Sequence, residues 1–189
     1  MSEVRIDFYN NQSDHTWVVV AGWSFHGLAG LRVGDKSNCL CVSAYNPFEL
    51  DSWFRKHFNS YVKSSYSVLG FSLGGLWLSV HVNLFEQAQR YVVVGARKSY
   101  TAEHLFSLRK ALNLNVKEAV VGFQKQCLSK YMKEYNNVEG GSDCLDMTIL
   151  NQGLNFLEQT PFNLHAITKR MSFIHGALDR IAPLKELDW

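Results

Sequence analysis

Short apolar runs alternate with amphipathic segments along this chain. Runs rich in β-branched and aromatic residues occur at 15–23, 38–45, 66–70, 90–96 and 171–176. Such runs are typical of strands that are buried on both faces of a sheet. Segment 4–10 instead alternates apolar and polar positions, which predicts an edge or antiparallel strand. Because helical patterns separate the runs, the sequence predicts an α/β sandwich with a mostly parallel sheet covered on both sides.

The helical patterns divide the chain into two parts. Those at 47–62 and 76–88 alternate with the strands, but no convincing strand pattern occurs from 99 to about 166. In that interval Asn115 is a plausible N-cap for a helix reaching 135, and a second apolar stripe covers 146–160 beyond a loop at 136–143. We therefore predict a helical lid at 99–166, inserted into a core formed by 1–98 and 167–189.

The composition favours a globular protein and argues against several other classes. With 189 residues, 47% of them hydrophobic, the chain suits one globular domain, and its 19 basic against 17 acidic residues do not suggest a nucleic-acid binder. No apolar run approaches the roughly 18 residues that span a bilayer, and no signal peptide is apparent at the start. The four cysteines contain no CxxC pair. We therefore expect a reduced, cytoplasmic protein without a metal site.

One turn carries the clearest chemical signal. Gly70-Phe71-Ser72-Leu73-Gly74 fits G-x-S-x-G, with a strand pattern before it and a helical pattern after it. This is the context of a nucleophile elbow, in which the serine hydroxyl stands above the sheet and the next N–H, here that of Leu73, faces the developing oxyanion. The alternative is a glycine-rich turn with an incidental serine. The spacing fits neither a dinucleotide motif nor a Walker A motif.

Two further positions complete a candidate hydrolytic site. Trp23 ends the first apolar run, just past the predicted strand and in the loop that supplies the second oxyanion donor in such folds, although it could simply pack at the strand end. Asp179 lies in a loop after the last run, where a carboxylate that orients a histidine belongs, although it could instead cap a helix. His175 is expected to be structural.

Segments VVVAGW, VLGFSLGGLW and FIHGALDRIAP together resemble the α/β-hydrolase superfamily. With VVGFQKQC and ILNQGLNFLEQTPF added, the chain is similar to the pimeloyl-[acyl-carrier protein] methyl ester esterases of biotin synthesis. The resemblance implies a serine carboxylesterase without cofactors, in which Ser72 is the nucleophile and Asp179 the acid. It also implies substrate contacts from Trp23, Ser72, Leu73, Phe123, Gln124, Lys125, Gln126 and Cys127.

The same resemblance implies a small ester or an acyl carrier protein as the partner. Carrier proteins are acidic, and the lid region is rich in basic residues that could dock one. The same residues could equally form a solvated helix face. They are Arg97, Lys98, Arg109, Lys110, Lys117, Lys125, Lys130 and Lys133.

The resemblance does not extend to the general base. Family members continue past the acid loop with another strand and a histidine loop, so the resemblance implies that this sequence, ending at Trp189, lacks the last strand and helix and the usual histidine. His26 and His165 are the substitutes to test. One alternative function is a truncated relative that only binds acyl chains or an acyl carrier protein. Another is thioesterase or acyltransferase chemistry at the same serine.

Overall fold

Six strands form one sheet in the computed structural model, which describes residues 4–25, 37–63, 65–128, 145–166, 170–177, 179 and 181–183. The sheet order is β1-β3-β2-β4-β5-β6. β1 runs antiparallel to β3, and the other neighbours pair in parallel. The predicted edge strand and mostly parallel sheet are thus confirmed. The strands are β1 (Arg5–Tyr9), β2 (His15–Val20), β3 (Asn38–Ser43), β4 (Ser65–Phe71), β5 (Tyr91–Val94) and β6 (Met171–Ile174).

Five α-helices and two short 3-10 helices lie among the described residues. The α-helices are α1 (Leu50–Tyr61), α2 (Leu73–Val80), α3 (Ala102–Leu114), α4 (Val116–Leu128) and α5 (Met147–Gln159). The 3-10 helices are Val82–Phe85 and Leu164–Ala166.

The helix predicted at 76–88 differs from the observed one. It begins at Leu73, directly after Ser72, and ends at Val80 before a 3-10 turn. His81 leaves helical geometry, with φ −120° and ψ 21°, and its ring stacks on Trp77 at 4.5 Å between centroids. The β-branched residues Val80 and Val82 flank this break, and such residues favour the helix less than straight-chain ones.

Helix caps in the inserted region follow the chemistry of the sequence. Asn115 accepts a hydrogen bond from the Glu118 N–H at 3.2 Å, as its predicted N-cap role requires. Thr101 and His104 cap each other at the start of α3, a helix that the sequence analysis did not resolve separately. The part of the predicted helix beyond 128 lies outside the described residues.

The core forms on the two faces of the sheet. On one face Val18, Leu40 and Val68 belong to a large cluster with Trp77 and Phe54, and this cluster includes residues of all five α-helices. The opposite face carries a smaller cluster of Val19, Cys39, Cys41 and Leu69. In the described part of the chain, no helical residue belongs to that second cluster.

Helices α3, α4 and α5, here called the cap helices, lie between β5 and β6 in the chain. The segment that contains them leaves and rejoins the core at one place, because the Phe162 N–H donates to the Lys98 carbonyl at 2.7 Å. Arg109 of α3 holds α5 through Glu158 at 2.7 Å and Asn155 at 3.0 Å. None of the described helices is both long enough and apolar enough to cross a bilayer.

Candidate active site

Ser72 lies in a sharp turn between β4 and α2. Its backbone has φ 52° and ψ −112°, in the left-handed half of conformational space that non-glycine residues rarely adopt. The turn is fixed by the Ser72 N–H, which donates to Val94 of the neighbouring strand at 2.8 Å. The strained geometry and the strand-to-helix setting are those of a nucleophile elbow.

The glycines around Ser72 are required by close backbone approach. A Cβ on Gly70 would lie 2.5 Å from the Gly74 carbonyl oxygen, and one on Gly74 would lie 2.0 Å from the Val20 carbonyl oxygen. Real Cβ contacts are never this short, so the strand and the helix can meet here only without side chains. The G-x-S-x-G spacing is therefore used as the elbow geometry demands.

Ser72 lines a cavity in the described part of the structure. This cavity has a volume of about 490 Å³ and lies between the carboxyl edge of the sheet and the cap helices. Its wall is mainly apolar, with Leu105, Leu108, Leu154 and Leu157 among the lining residues. A cavity of this size and character suits a small apolar ligand.

The predicted oxyanion donors flank the serine. Neither the Trp23 N–H nor the Leu73 N–H has a hydrogen-bond acceptor among the residues that the structure describes. The Leu73 N–H belongs to the first residue of α2, where backbone donors have no partner within the helix. The role of both groups as oxyanion donors stays a prediction.

The Trp23 side chain has its own partners. Its indole N–H donates to the Leu150 carbonyl at 2.8 Å, and its ring meets the Phe123 ring edge to face at 5.0 Å. The side chain thus packs against α4 and α5 as well as lining the cavity. Both roles that the sequence left open for Trp23, packing and oxyanion binding, are compatible with its position.

Asp179 lies in the loop after β6. One carboxylate oxygen accepts hydrogen bonds from the Ile181 and Ala182 N–H groups at 2.8 and 2.9 Å. The other lies 3.9 Å from His175 Nε2, which itself donates to the Ala182 carbonyl. The carboxylate therefore organises its own loop, and its second oxygen remains on the side of the β5 and β6 carboxyl ends.

Tyr100 and Arg97 line the same cavity as Ser72 and were not predicted as site residues. Both are buried and line the cavity. Tyr100 lies near Ser72, whose side chain lowers the pKa of the phenol, and the Arg97 guanidinium lies 5.3 Å from the Tyr100 ring centroid. Burial raises the pKa of Tyr100 to about 12, although Ser72 and Arg97 favour the phenolate. The phenol is therefore neutral near pH 7.

A signal for these two residues was present in the sequence. They follow β5, and the carboxyl ends of neighbouring parallel strands meet at one edge of a sheet. Ser72 follows β4, the strand next to β5. Polar residues just after the run at 90–96 are therefore expected at the same edge of the sheet as Ser72.

Of the two candidate base histidines, the structure describes only His165. His165 is exposed in the 3-10 helix Leu164–Ala166, where its N–H donates to the Asn163 side chain at 3.1 Å, and it does not line the cavity. His26 lies outside the described residues. His104, which was not singled out, does line the cavity, and its Nδ1 accepts from the Thr101 N–H at 3.1 Å.

The five predicted contacts on α4 divide between the cavity and its surroundings. Phe123 and Gln126 line the cavity, whereas Lys125 is exposed elsewhere. Gln124 is buried and donates from its amide to the Ser24 carbonyl at 2.8 Å. Cys127 is partly buried, which raises the pKa of its thiol to about 12.

The predicted basic docking residues that the structure describes differ in exposure. Arg97 is buried beside Tyr100, and Arg109 pairs with Glu158. Lys110, Lys117 and Lys125 are exposed on the cap helices. Lys130 and Lys133 lie outside the described residues. Among the described side chains, no group of three or more His, Cys, Asp or Glu is placed to hold a metal ion.

Comparison with known proteins identifies the fold. No protein-family model matches the sequence, and no curated protein sequence matches it. An esterase from Exiguobacterium antarcticum matches the structure with a TM-score of 0.71 and 14% identity, over 97% of this chain and 80% of that one. The chain has the α/β-hydrolase fold.

Two further solved structures agree. A lipase-esterase related protein from Clostridium acetobutylicum ATCC 824 gives a TM-score of 0.69 at 13% identity, covering 97% of this chain and 83% of that one. MGS-M2, an alpha/beta hydrolase enzyme from a Medee basin deep-sea metagenome library, gives 0.69 at 9% identity, covering 97% and 79%. The predicted fold class is confirmed, and the narrower resemblance to pimeloyl esterases stays a prediction.

Proposed function

We propose that this chain is a carboxylic ester hydrolase in which Ser72 is the nucleophile. The observation that carries the proposal is the elbow itself. A serine in strained geometry, framed by glycines that no other residue could replace, opens into an apolar cavity of about 490 Å³. The solved structures of similar fold include proteins named as esterases, which supports the same class of reaction.

The proposed reaction follows from this arrangement. The Ser72 oxygen attacks the ester carbonyl and loses its proton to a base, and the Leu73 and Trp23 N–H groups hold the resulting oxyanion. Collapse of this intermediate expels the alcohol, which takes up the proton, and leaves an acyl group on Ser72. Water then attacks the acyl-enzyme and releases the carboxylic acid. In this proposal Asp179, in the loop after β6, is the acid that orients a histidine base.

Within this class we propose an ester of a medium-length acyl chain, either free or attached to an acyl carrier protein. The apolar lining contributed by the cap helices supports an acyl chain, and we propose that these helices form the lid at 99–166. The resemblance to the pimeloyl-[acyl-carrier protein] methyl ester esterases supports a carrier-bound methyl ester, as in biotin synthesis. The exposed Lys110, Lys117 and Lys125 could bind an acidic carrier. Thioester cleavage or acyl transfer would use the same serine.

A second candidate function is acyl binding without hydrolysis. Tyr100 lines the cavity beside Ser72, and its raised pKa keeps it protonated at neutral pH. Among the described residues no histidine forms a hydrogen bond with Ser72. A serine without a histidine partner would line an acyl-binding cavity beside the oxyanion donors without being activated.

Fluorophosphonate labelling separates the two functions. The purified chain should be labelled at one residue, as read by intact mass, and Ser72→Ala should abolish the label. Ser107→Ala is the matched control, because Ser107 lines the same cavity on α3 and should not be needed. A folded wild-type chain that takes up no label would contradict the hydrolase and favour acyl binding. Retained labelling in Ser72→Ala would show that another residue reacts.

The length of the acyl chain is tested with a series of p-nitrophenyl esters. If the chain lies among Leu105, Leu108 and Leu154, kcat/KM should rise from acetate to hexanoate or octanoate. Each buried methylene contributes at most about 0.8 kcal/mol. A preference for acetate would place the acyl group elsewhere.

A further inference from the structure

The loop that follows β2 is held by the cap helices on two sides. From α5, the Leu150 carbonyl accepts the hydrogen bond of the Trp23 indole at 2.8 Å. From α4, the Gln124 amide donates to the Ser24 carbonyl at 2.8 Å. Both bonds are buried, so neither competes with water.

The contact between the loop and α5 is tight. A Cβ on Gly153 would lie 2.6 Å from Trp23 Cδ1 and 3.2 Å from its Nε1, so the indole occupies space that only glycine leaves open. On its other side the Phe123 ring meets the indole at 5.0 Å. The Trp23 side chain therefore has little freedom to move relative to the cap.

The backbone of this loop is strained at Ser24. Its φ of 62° lies in the left-handed region, which is unfavourable for a non-glycine residue. A turn bond from the Phe25 N–H to the Gly22 carbonyl, at 3.1 Å, closes the loop locally. Such a conformation persists only where the surroundings impose it, and the bond from Gln124 ends on the strained residue itself.

We infer that Gln124 is a positioning residue, which fixes the Trp23–Ser24 backbone from the cap and so sets the position of the Trp23 N–H donor. This inference rests on the proposed function, in which that N–H binds the oxyanion. It assigns Gln124 a role different from the direct substrate contact implied by the family resemblance. Gln124 does not line the cavity, and its amide faces the loop.

The position of Gln124 also links acyl binding to the oxyanion site. Its neighbours Gly122 and Phe123 line the cavity on the same helix. An acyl chain that shifts α4 would therefore shift the Ser24 carbonyl and the adjacent Trp23 N–H with it. The cap then both selects the acyl chain and aligns the donor that acts in the transition state.

The test compares Gln124→Met with Gln159→Met. Methionine keeps the length of glutamine but removes the amide donor, and Gln159 is exposed near the end of α5, so the control carries the same change without the contact. Hydrogen exchange of the backbone amides at 22–25 should accelerate at least fivefold in Gln124→Met only. Exchange in β4 should stay unchanged. Gln124→Glu, which also lacks the donor, should behave like Gln124→Met.

The kinetic readout uses a p-nitrophenyl ester and an alkylboronic acid that forms a tetrahedral adduct with Ser72. In Gln124→Met, kcat should fall at least tenfold while KM changes less than threefold, because the oxyanion bond strengthens only in the transition state. Affinity for the boronic acid should fall in parallel with kcat. Loss of a complete oxyanion donor costs about 100- to 1,000-fold, which sets the upper limit.

The outcomes separate this inference from the proposed function. Unchanged exchange at 22–25, or a uniform acceleration that includes β4, would overturn the positioning role whether or not the chain is active. Unchanged kcat together with faster loop exchange would also overturn it, since the loop would then not set the donor. A chain whose Ser72 takes up no fluorophosphonate would remove the oxyanion role and the proposed hydrolase together.

Discussion

The elbow and the cap helix α4 differ in the room that they leave around their glycines. At the elbow, a Cβ on Gly70 or Gly74 would meet backbone atoms at 2.5 and 2.0 Å. On α4, a Cβ on Gly122 would meet nothing within 4 Å. The backbone itself fixes the position of Ser72, whereas side chains fix the cap. The elbow therefore tolerates no change, and the cap can vary in sequence and adjust its cavity.

Gly153 on α5 lies between these extremes. Its missing Cβ would meet a side chain, the Trp23 indole, at 2.6 Å. A side chain can shift where a backbone carbonyl in a central strand cannot. The three glycines Gly74, Gly153 and Gly122 thus form a graded series, and substituting alanine at each one tests the comparison directly.

Gly74→Ala should have the largest effect. The new methyl would lie 2.0 Å from the Val20 carbonyl oxygen, so β2 or α2 must move. Overpacking typically costs about 1–3 kcal/mol and occasionally more, and a backbone obstacle places this variant at or above the upper end. Urea unfolding measures the loss. A loss below about 1 kcal/mol would show that the elbow can relax and would remove the contrast.

Gly153→Ala should cost less, about 2 kcal/mol, because the Trp23 indole can yield part of the space. The displaced indole should also lose its bond to the Leu150 carbonyl and disturb the loop that carries the Trp23 N–H. Fluorescence of Trp23 and the rate of fluorophosphonate labelling should therefore change together. Gly153→Ala combined with Trp23→Phe should recover part of the lost stability. No recovery would mean that the clash lies elsewhere.

Tyr100 lines the cavity together with Ser72 of the elbow and residues of the cap helices. Its burial should have a smaller, pH-dependent effect on the free energy of unfolding. Its pKa is raised from 10.0 to about 12, mainly by burial, so between these values the unfolded chain ionises and the folded chain does not. This contribution to stability is complete below pH 10 and is lost as the pH rises towards 12. By pH 11 the loss of unfolding free energy should be on the order of 1 kcal/mol.

Tyr100→Phe provides the reference for this measurement, since other buried tyrosines and cysteines also titrate at alkaline pH. The difference in free energy of unfolding between wild type and Tyr100→Phe should be constant from pH 7 to 9 and should shrink above pH 10. A difference that stays constant to pH 11 would show that Tyr100 ionises as freely when folded as when unfolded.

The sequence predicted what depends on local pattern. The strands, the turn at Ser72 and the Asn115 cap follow from neighbouring residues, and the structure places all three as expected. Contacts between distant segments were not accessible in this way. Tyr100 meets Ser72 only because β5 lies beside β4. Gln124 reaches Ser24 across 100 positions of sequence, and no periodicity encodes that bond.

Some residues of the cap helices line the cavity and others hold the neighbouring loop, and the sequence pattern does not distinguish the two. A helical stripe shows which residues of α4 face inward, but it does not distinguish a cavity wall from a buried polar anchor. Phe123 and Gln124 are adjacent, yet one lines the cavity and the other holds a loop. Burying a polar amide requires a partner, so an inward glutamine should prompt a search for a buried carbonyl.

Gly122→Ala should have the smallest effect on stability and the opposite sign. Nothing obstructs the methyl group, and alanine in a helix interior is favoured over glycine by roughly 0.5–1 kcal/mol, so the variant should be more stable than the wild type. Urea unfolding of Gly122→Ala and Gly74→Ala in parallel measures the expected gain in stability of the first and the expected loss of the second. A destabilised variant would show that α4 is packed as tightly as the elbow.

The same substitution also tests what the cap does, because Gly122 lines the cavity beside Phe123. A methyl group there narrows the space for an acyl chain without touching Ser72 or the oxyanion donors. With p-nitrophenyl esters, KM should rise for octanoate and stay unchanged for acetate, while kcat for acetate remains at the wild-type value. Equal effects on both esters would place the acyl chain away from α4. In that case the cap helices would not select the acyl chain, and the contrast between a fixed elbow and an adjustable cap would not hold.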